Sequence, residues 1–494
     1  MRTIAALIAG WLLAAPSFAG PWLDPGDTGL RHDVQILADA GVLQAPVSTW
    51  PLSVGGLQAA LKPEGMELRP EERAALARVE ARLEREMVID DVVFHTRMSA
   101  TEHPRVARSF EDTPRESGEV GAGIEWTGQR FAARLQAQWV NDPDDNKDWR
   151  VDDSYLGFVL GNWMIAASTS DRYWGPGWQS SMILSNNARP IPAFTVERNE
   201  AKPFSSRWLS WLGPWDAAFL WGYLDDDREI DSARVFGLRF DARPLQGLEV
   251  GFSGLGLWCG SGQDCSGDEW VDLVTGSGTT KEYDRIFGFD VRWAARPWGF
   301  PLAGYSHIVG EDFGDGSTRL FFPNKILGQF GVETWGNWDG LGSYRIFLEW
   351  ADTECDFALW RAATGDGDGG KPGCAYRNQR YKSGQTYRGR SYAHSIDQDS
   401  SVAMLGLVLQ DTRDHSWLAT LAYGTLNRRG AKRNTVARNE TDYAEFEVSH
   451  RRGFWIGDLK VGLGYEYRDD QVEDQTDHDL RAFAEWRIAC LLYT

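Results

Sequence analysis

From about residue 90 onward the chain alternates apolar and polar residues with a period of two, repeatedly. The stretch from Phe131 is the clearest case. Phe131, Ala133, Leu135, Ala137 and Trp139 fall on one side, and Ala132, Arg134, Gln136 and Gln138 on the other. Successive side chains of an extended strand point to opposite faces, so this segment has one apolar face ending in rings and one polar face carrying arginine. The pattern recurs. Phe287, Phe289, Val291 and Trp293 oppose Asp290 and Arg292; Tyr344, Ile346, Leu348 and Trp350 oppose Arg345 and Glu349; Leu459, Val461, Leu463, Tyr465 and Tyr467 oppose Lys460, Glu466 and Arg468. A single strand of this kind suits a soluble sandwich with one wet face. Many in succession, joined alternately by short turns and long stretches rich in Asp, Gly and Ser, favour a membrane barrel with lipid outside and a polar lumen.

Eighteen strands are predicted, an even number as single-chain bacterial barrels have. They are Val92–Ser99, Gly118–Thr127, Arg130–Val140, Ser154–Leu160, Trp163–Thr169, Phe204–Trp211, Trp215–Leu224, Ala233–Ala242 and Gly247–Trp258. The series continues Asp284–Ala294, Leu302–Gly310, Ile326–Trp335, Ser343–Asp352, Ser401–Gln410, Ser416–Gly424, Asp442–His450, Asp458–Arg468 and His478–Ile488. Short turns such as Thr127-Gly128-Gln129, Gly161-Asn162 and Arg296-Pro297-Trp298-Gly299 would lie on the periplasmic side, with the long loops outside the cell.

The beginning of the chain sets the compartment. Arg2, the apolar run from Ile4 to Ala15 and the small residues of Ser17-Phe18-Ala19 before Gly20 read as a signal peptide over residues 1–19. No later stretch is long and uncharged enough for a transmembrane helix. Residues 20–90 read as a small helical module. Leu30, Val34, Leu37 and Ala38 share a helical face that Gly41 ends. Ser53 can cap a second helix containing Leu57 and Leu61, and Pro70 followed by Glu71 and Glu72 opens a third through Met87. The barrel would occupy residues 91–489. Alternation through Leu480, Ala482, Ala484, Trp486 and Ile488 then stops, so Cys490–Thr494 reads as an atypical tail.

Composition limits the partners. Asp and Glu number 71 against 51 Lys and Arg, a net charge of −20, which argues against nucleic acid. Cys259 and Cys265 lie close together, as do Cys355 and Cys374, each pair inside a loop-like stretch. In an oxidising compartment they read as two loop-stapling disulfides, with Cys490 free. Zinc is the alternative, but no histidines sit at ligand spacing, and no metal or cofactor is expected. Asp366-Gly367-Asp368-Gly369-Gly370 has the look of a calcium loop without its distal glutamate, so a solvated loop is the better reading.

Several segments resemble the Wzi-type capsule assembly family of outer-membrane, lectin-like proteins. These are Asp27-Thr28-Gly29-Leu30-Arg31, Leu37-Ala38-Asp39-Ala40-Gly41 and Thr49-Trp50-Pro51-Leu52 in the helical part. The most specific is Arg172-Tyr173-Trp174-Gly175-Pro176-Gly177-Trp178, continuing to Ser185-Asn186-Asn187-Ala188-Arg189-Pro190-Ile191-Pro192. Tyr387-Arg388-Gly389-Arg390, His394-Ser395 and Asp397 form a third. The resemblance covers nearly the whole chain after residue 19. It implies an 18-stranded barrel with an N-terminal helical bundle near the periplasmic mouth, and a role in attaching capsular polysaccharide to the cell surface.

No catalytic signature is present: there is no H-E-x-x-H, Walker loop or G-x-S-x-G. A carboxylate pair could hide among the lumen-facing acids. Buried charges need partners, however, so a lattice of ion pairs is the expected use of those residues. The stretch from Arg172 to Pro192 is too dense in rings and prolines for an exposed loop and should fold inward as a plug. Sugars bind by stacking on aromatic faces while Asn, Asp and Arg fix hydroxyl and acidic groups. Arg172, Tyr173, Trp174, Trp178, Asn186, Asn187 and Arg189 supply those parts, as do Arg388, Arg390, His394 and Asp397. The competing reading is that the aromatics only pack the plug. The expected function is non-enzymatic binding of capsular or extracellular polysaccharide, with outer-membrane lipid and the polysaccharide export machinery as further partners of a monomer. The alternatives are a sugar-permeable porin and an outer-membrane enzyme acting on lipid or glycan.

Overall fold

A computed structural model describes residues 22–87, 89–275, 283–313, 323–364 and 372–492. The expected signal peptide and the Asp366–Gly370 stretch lie outside these residues. The wall consists of 18 antiparallel strands, numbered here in chain order. They are β1 (Val92–Thr101), β2 (Gly118–Thr127), β3 (Phe131–Asn141), β4 (Trp149–Arg150 and Tyr155–Leu160), β5 (Trp163–Ser168) and β6 (Ala193–Arg198). Next come β7 (Trp215–Tyr223), β8 (Arg234–Leu245), β9 (Leu248–Trp258), β10 (Asp284–Ala295), β11 (Leu302–Phe313) and β12 (Pro323–Trp338). The last six are β13 (Gly342–Asp352), β14 (Ser401–Asp411), β15 (Ser416–Leu426), β16 (Thr441–Phe454), β17 (Gly457–Asp470) and β18 (Gln475–Leu492). The two pieces of β4 pair with opposite ends of β3 and so form one wall position.

Pairing of β18 with β1, from Phe483↔Thr101 to Leu492↔Val92, closes the sheet and leaves no edge. The ladder therefore continues past residue 489, where the barrel was expected to end. Cys490, Leu491 and Leu492 pair with Phe94, Val93 and Val92, because backbone hydrogen bonding does not depend on the side-chain pattern. The alternation sorts as expected. Leu135 is 64% exposed on the outer face, whereas its neighbour Gln136 is 3% exposed in the lumen. No helix among the described residues is long and apolar enough to cross a membrane; the strands provide the outward apolar surface.

One predicted strand is wrong. The sixth wall strand is Ala193–Arg198, paired with β5 from Ala193↔Ser168 to Arg198↔Trp163, and not Phe204–Trp211. Ala193 and Thr195 are buried while Phe194 is exposed, which is the wall pattern. In the other stretch both alternating sets mix rings with Ser or Arg, so neither face suits lipid. It forms the rim instead, with a short 3-10 turn at Ser210–Leu212 and exposed Trp208 and Trp211.

The helical module enters the barrel at the short-turn end. Its helices are α1 (Thr28–Ala40), α2 (Val54–Ala60) and α3 (Pro70–Glu86). The Asp27 side chain caps α1 by accepting from the Leu30 N–H, and Gly41 ends the helix at φ +78°. Ser53 caps α2 through the Gly56 N–H. Arg78 of α3 clamps Asp33 of α1 at 2.7 and 2.8 Å and also donates to Ser343 at the short-turn end of β13. Arg243 holds the α1 C-terminus through the Ala38 carbonyl at 2.7 Å. Inside the wall, charges pair across strands. Arg292 bridges Asp39 and Glu333, Arg345 reaches Glu333 at 2.9 Å, and Arg481 holds Glu445 and Glu447 at 2.7 and 2.6 Å. These desolvated charges persist because each has an opposite charge beside it.

Candidate functional site

The segment between β5 and β6 runs down into the lumen and meets the helical module there. Tyr173 and Trp174 form a two-residue ladder with Trp50 and Thr49. Trp178, 3% exposed, donates its backbone N–H to Glu349 at 2.7 Å and its indole N–H to Glu333 at 2.8 Å. Its ring stacks on Phe347, with centroids 5.3 Å apart. Arg172 is spent on the Ser170 and Ile191 carbonyls and on Ser168. Asn186 donates to the Phe110 carbonyl and Asn187 to the Ser391 carbonyl. His394 and Asp397 are fully buried: His394 lies beside Gln329, and Asp397 accepts from Arg377 and Thr435. Burial holds the His394 imidazole down at about 3, so it is neutral at pH 7.

The eleven sequence candidates thus separate into two groups. Arg172, Tyr173, Trp174, Trp178, Asn186, Asn187, His394 and Asp397 are buried, most of their polar atoms used in plug architecture; direct contact with a polymer would require the plug to open. Arg189, Arg388 and Arg390 are brought together at the long-loop end, on a loop of acids that the sequence reading did not single out. Arg189 holds Asp152 through two bonds of 2.8 and 2.9 Å and also pairs with Asp145. Arg388 lies 3.9 Å from Asp145, and Arg390 lies 3.5 Å from the exposed Asp144. Arg150 ties Asp145 to Glu116 from below, at 3.0 and 2.6 Å. Burial pushes the Asp145 carboxyl up, but Arg189 and Arg150 outweigh it and hold the group below its ordinary value. The signal was present as Asp142-Pro143-Asp144-Asp145 beside β3, but nothing local ties it to arginines far along the chain.

Arg388 and Arg390 keep about a quarter of their side chains in solvent, next to Tyr387. This arrangement offers forked donors and carboxylate acceptors on a fixed base, the groups that hydroxyl-rich or acidic ligands need. Beneath it the plug fills the barrel axis, although a cavity of about 530 Å³ remains between the module and the walls of β1–β4 and β16–β18. Its lining includes Asp24, Arg97, Arg134, Asp153 and Glu485, and Asp171 lies at its plug side, paired with Arg115 at 2.8 Å. Cys259–Cys265 and Cys355–Cys374 are disulfides in the long loops, and Cys490 is free. Among the described residues no cluster of ligating side chains suited to a metal ion is present.

Comparison with known proteins places this geometry in context. The family model for the capsule assembly protein Wzi matches residues 93–484. An uncharacterized 55.8 kDa protein in the cps region of Klebsiella pneumoniae is 28% identical over 339 residues, 67% of this chain. That match spans 65% of the relative's own length. Among solved structures, Escherichia coli Wzi superposes with a TM-score of 0.81 at 21% identity, covering 94% of this chain and 99% of that one. That protein is described as an outer-membrane, carbohydrate-binding β-barrel involved in group 1 capsule assembly.

Proposed function

This chain belongs to the capsule assembly protein Wzi family, and on that premise we propose that it is an outer-membrane lectin that binds capsular or extracellular polysaccharide and holds it at the cell surface. The long loops face outward in this reading and the helical module faces the periplasm. The observation that carries it is the partly exposed pair Arg388 and Arg390 against Asp144 and Asp145, built on a plug that leaves the long-loop end as a firm surface. The related E. coli barrel is described as carbohydrate-binding, which supports the same role here.

The lumen acids support a binding protein over an enzyme, since Glu333, Glu445, Glu485 and Asp290 are each held by arginine. The packed plug weighs against a sugar porin. A monomer suffices for this role, with the export machinery as the source of the polymer. The test is binding of the producing bacterium's surface polysaccharide to detergent-purified protein. Arg388→Ala/Arg390→Ala should weaken binding roughly tenfold, about 1.4 kcal/mol, while the barrel keeps its heat-modifiable migration. Unchanged binding in the folded variant would move the site elsewhere on this face.

A further inference from the structure

Two segments at the long-loop end stand apart from the rest of this acidic chain. Tyr376–Tyr392 carries Arg377, Arg380, Lys382, Arg388 and Arg390, and Asn427–Asn439 carries Arg428, Arg429, Lys432, Arg433 and Arg438. Neither contains a single Asp or Glu. Together they hold ten positive charges in a protein of net charge −20, so the remaining residues sum to −30.

The fold lays these segments side by side. Buried Asp397 accepts from Arg377 of the first and from the backbone and hydroxyl of Thr435 of the second. Glu229 bridges Lys382 and Arg433, at 2.9 and 3.3 Å. Asn434 donates to the Gln398 carbonyl, and Asn427 binds the Ala431, Ala437 and Arg438 backbone carbonyls, which fixes the second loop as a folded ridge. Glu354 holds Arg428 and Arg429 at its base. These carboxylates, together with Asp399 near Arg429 and Asp470 near Arg438, leave the exposed ridge with a surplus of positive charge. Arg428, Lys432, Arg433 and Arg438 are exposed, and Lys432 and Arg438 have no carboxylate within ion-pair distance among the described residues. Like charges crowded on a surface raise its energy, and a dense cationic ridge on an anionic protein concentrates polyanions.

We propose that this ridge is a binding surface for an anionic polysaccharide, with Lys432, Arg433 and Arg438 contacting acidic groups along the polymer and Arg388 and Arg390 continuing the track toward Asp144. This rests on the polysaccharide-binding reading above and names the substrate class within it. The shared chemistry is a repeating anionic group, either carboxylate or phosphate. Guanidinium forks suit both, and contacts of this kind weaken as salt rises.

The experiment uses the full-length protein in detergent and the surface polysaccharide of the producing bacterium in three forms: native, carboxyl-reduced and dephosphorylated. Wild type should bind the native polymer, with affinity falling as salt rises from 50 to 300 mM. Lys432→Gln/Arg433→Gln/Arg438→Gln should bind it roughly tenfold more weakly and with a shallower salt dependence. Loss of wild-type binding on carboxyl reduction assigns the anion to carboxylate, and loss on dephosphorylation assigns it to phosphate. Equal wild-type binding of all three forms, or a folded triple variant that binds like wild type, overturns the proposal while leaving polysaccharide binding intact. If wild type binds none of the three forms, the broader reading fails instead. Retention of lipopolysaccharide that is lost in the triple variant, with polysaccharide binding unchanged, would reassign the ridge to lipid phosphate and overturn the proposal.

Discussion

The guanidinium carbon of Arg31 lies 4.4 Å from the centroid of the Trp178 ring, and its nitrogens donate to the Gly177 and Pro176 carbonyls at 2.7 and 2.8 Å. Arg31 is on the first helix of the module and Trp178 is in the plug, 147 residues later. Arg31 also lies over Phe110, at 4.3 Å, so a third segment joins the same contact. The plug and the module are therefore one packed body, and each is held by the other.

Replacing Arg31 should accordingly loosen both. Arg31→Ala removes two buried, charge-assisted bonds and three ring contacts, the third to Tyr173 at 5.2 Å, an expected cost on the order of 3–5 kcal/mol. Arg31→Lys should recover little, because a point charge cannot fork to two carbonyls while covering a ring. Near-ultraviolet circular dichroism and protease sensitivity around Gly175–Gly177 would read the change. A fully wild-type signature in Arg31→Ala would refute the coupling.

Trp174→Ala/Trp178→Ala should act on folding before binding. Removing each buried indole costs about 3–5 kcal/mol, and the Glu333 and Glu349 carboxylates lose a donor side chain or its positioning. The expected result is earlier loss of heat-modifiable migration together with loss of polysaccharide binding. A barrel that stays folded with a packed plug yet no longer binds would return these rings to the binding site.

Module docking should strengthen in mild acid. Burial raises the Asp33 carboxyl to about 6, against the opposing pull of Arg78. The folded state thus holds a proton between pH 6 and the ordinary carboxylate range that the unfolded chain releases. Stability from this group rises as pH falls through 6 and levels off below about 4, by on the order of 2–3 kcal/mol. Thermal melts followed by tryptophan fluorescence between pH 8 and 4.5 should show this rise, and Asp33→Asn should flatten it. An unchanged slope in Asp33→Asn would assign the effect to other groups.

Planar bilayers should record little current through the wild-type protein, because the plug spans the axis. The weakest barrier adjoins the 530 Å³ cavity, where Arg115 holds Asp171 and the Asn186 and Ala188 carbonyls. Arg115→Gln should produce flickering conductance while the wall stays intact. Large steady currents through the wild type would favour the porin reading.

The wall was legible because its signal is local. Leu135 and Gln136 are adjacent, and lipid and lumen demand opposite things of them, so the two-residue period survives in strands such as β2 and β3. It failed between Ser168 and Trp215, where the rings of Phe204–Trp211 fall on both alternating sets and the real strand, Ala193–Arg198, is only six residues long. The helix caps Asp27, Gly41 and Ser53 were legible for the same reason: capping chemistry acts over three or four residues.

The sequence alone therefore determined the architecture: a closed barrel, a three-helix N-terminal module, two loop disulfides and an inward-folding aromatic plug. It also supplied the list of sugar-compatible side chains. Tertiary structure decided which of those side chains meet solvent. Trp178 and Arg390 look equally suited in sequence, yet one lies buried in the lumen against Arg31 and Glu333, while the other reaches Asp144 at the surface. The union of Arg189 and Arg388 with Asp145, and of Arg377 with Thr435 through Asp397, joins loops far apart in sequence. Charge pairing across such distances leaves no periodicity behind. Closure of the barrel brings the loops together, and burial then sets which polar groups remain free to bind.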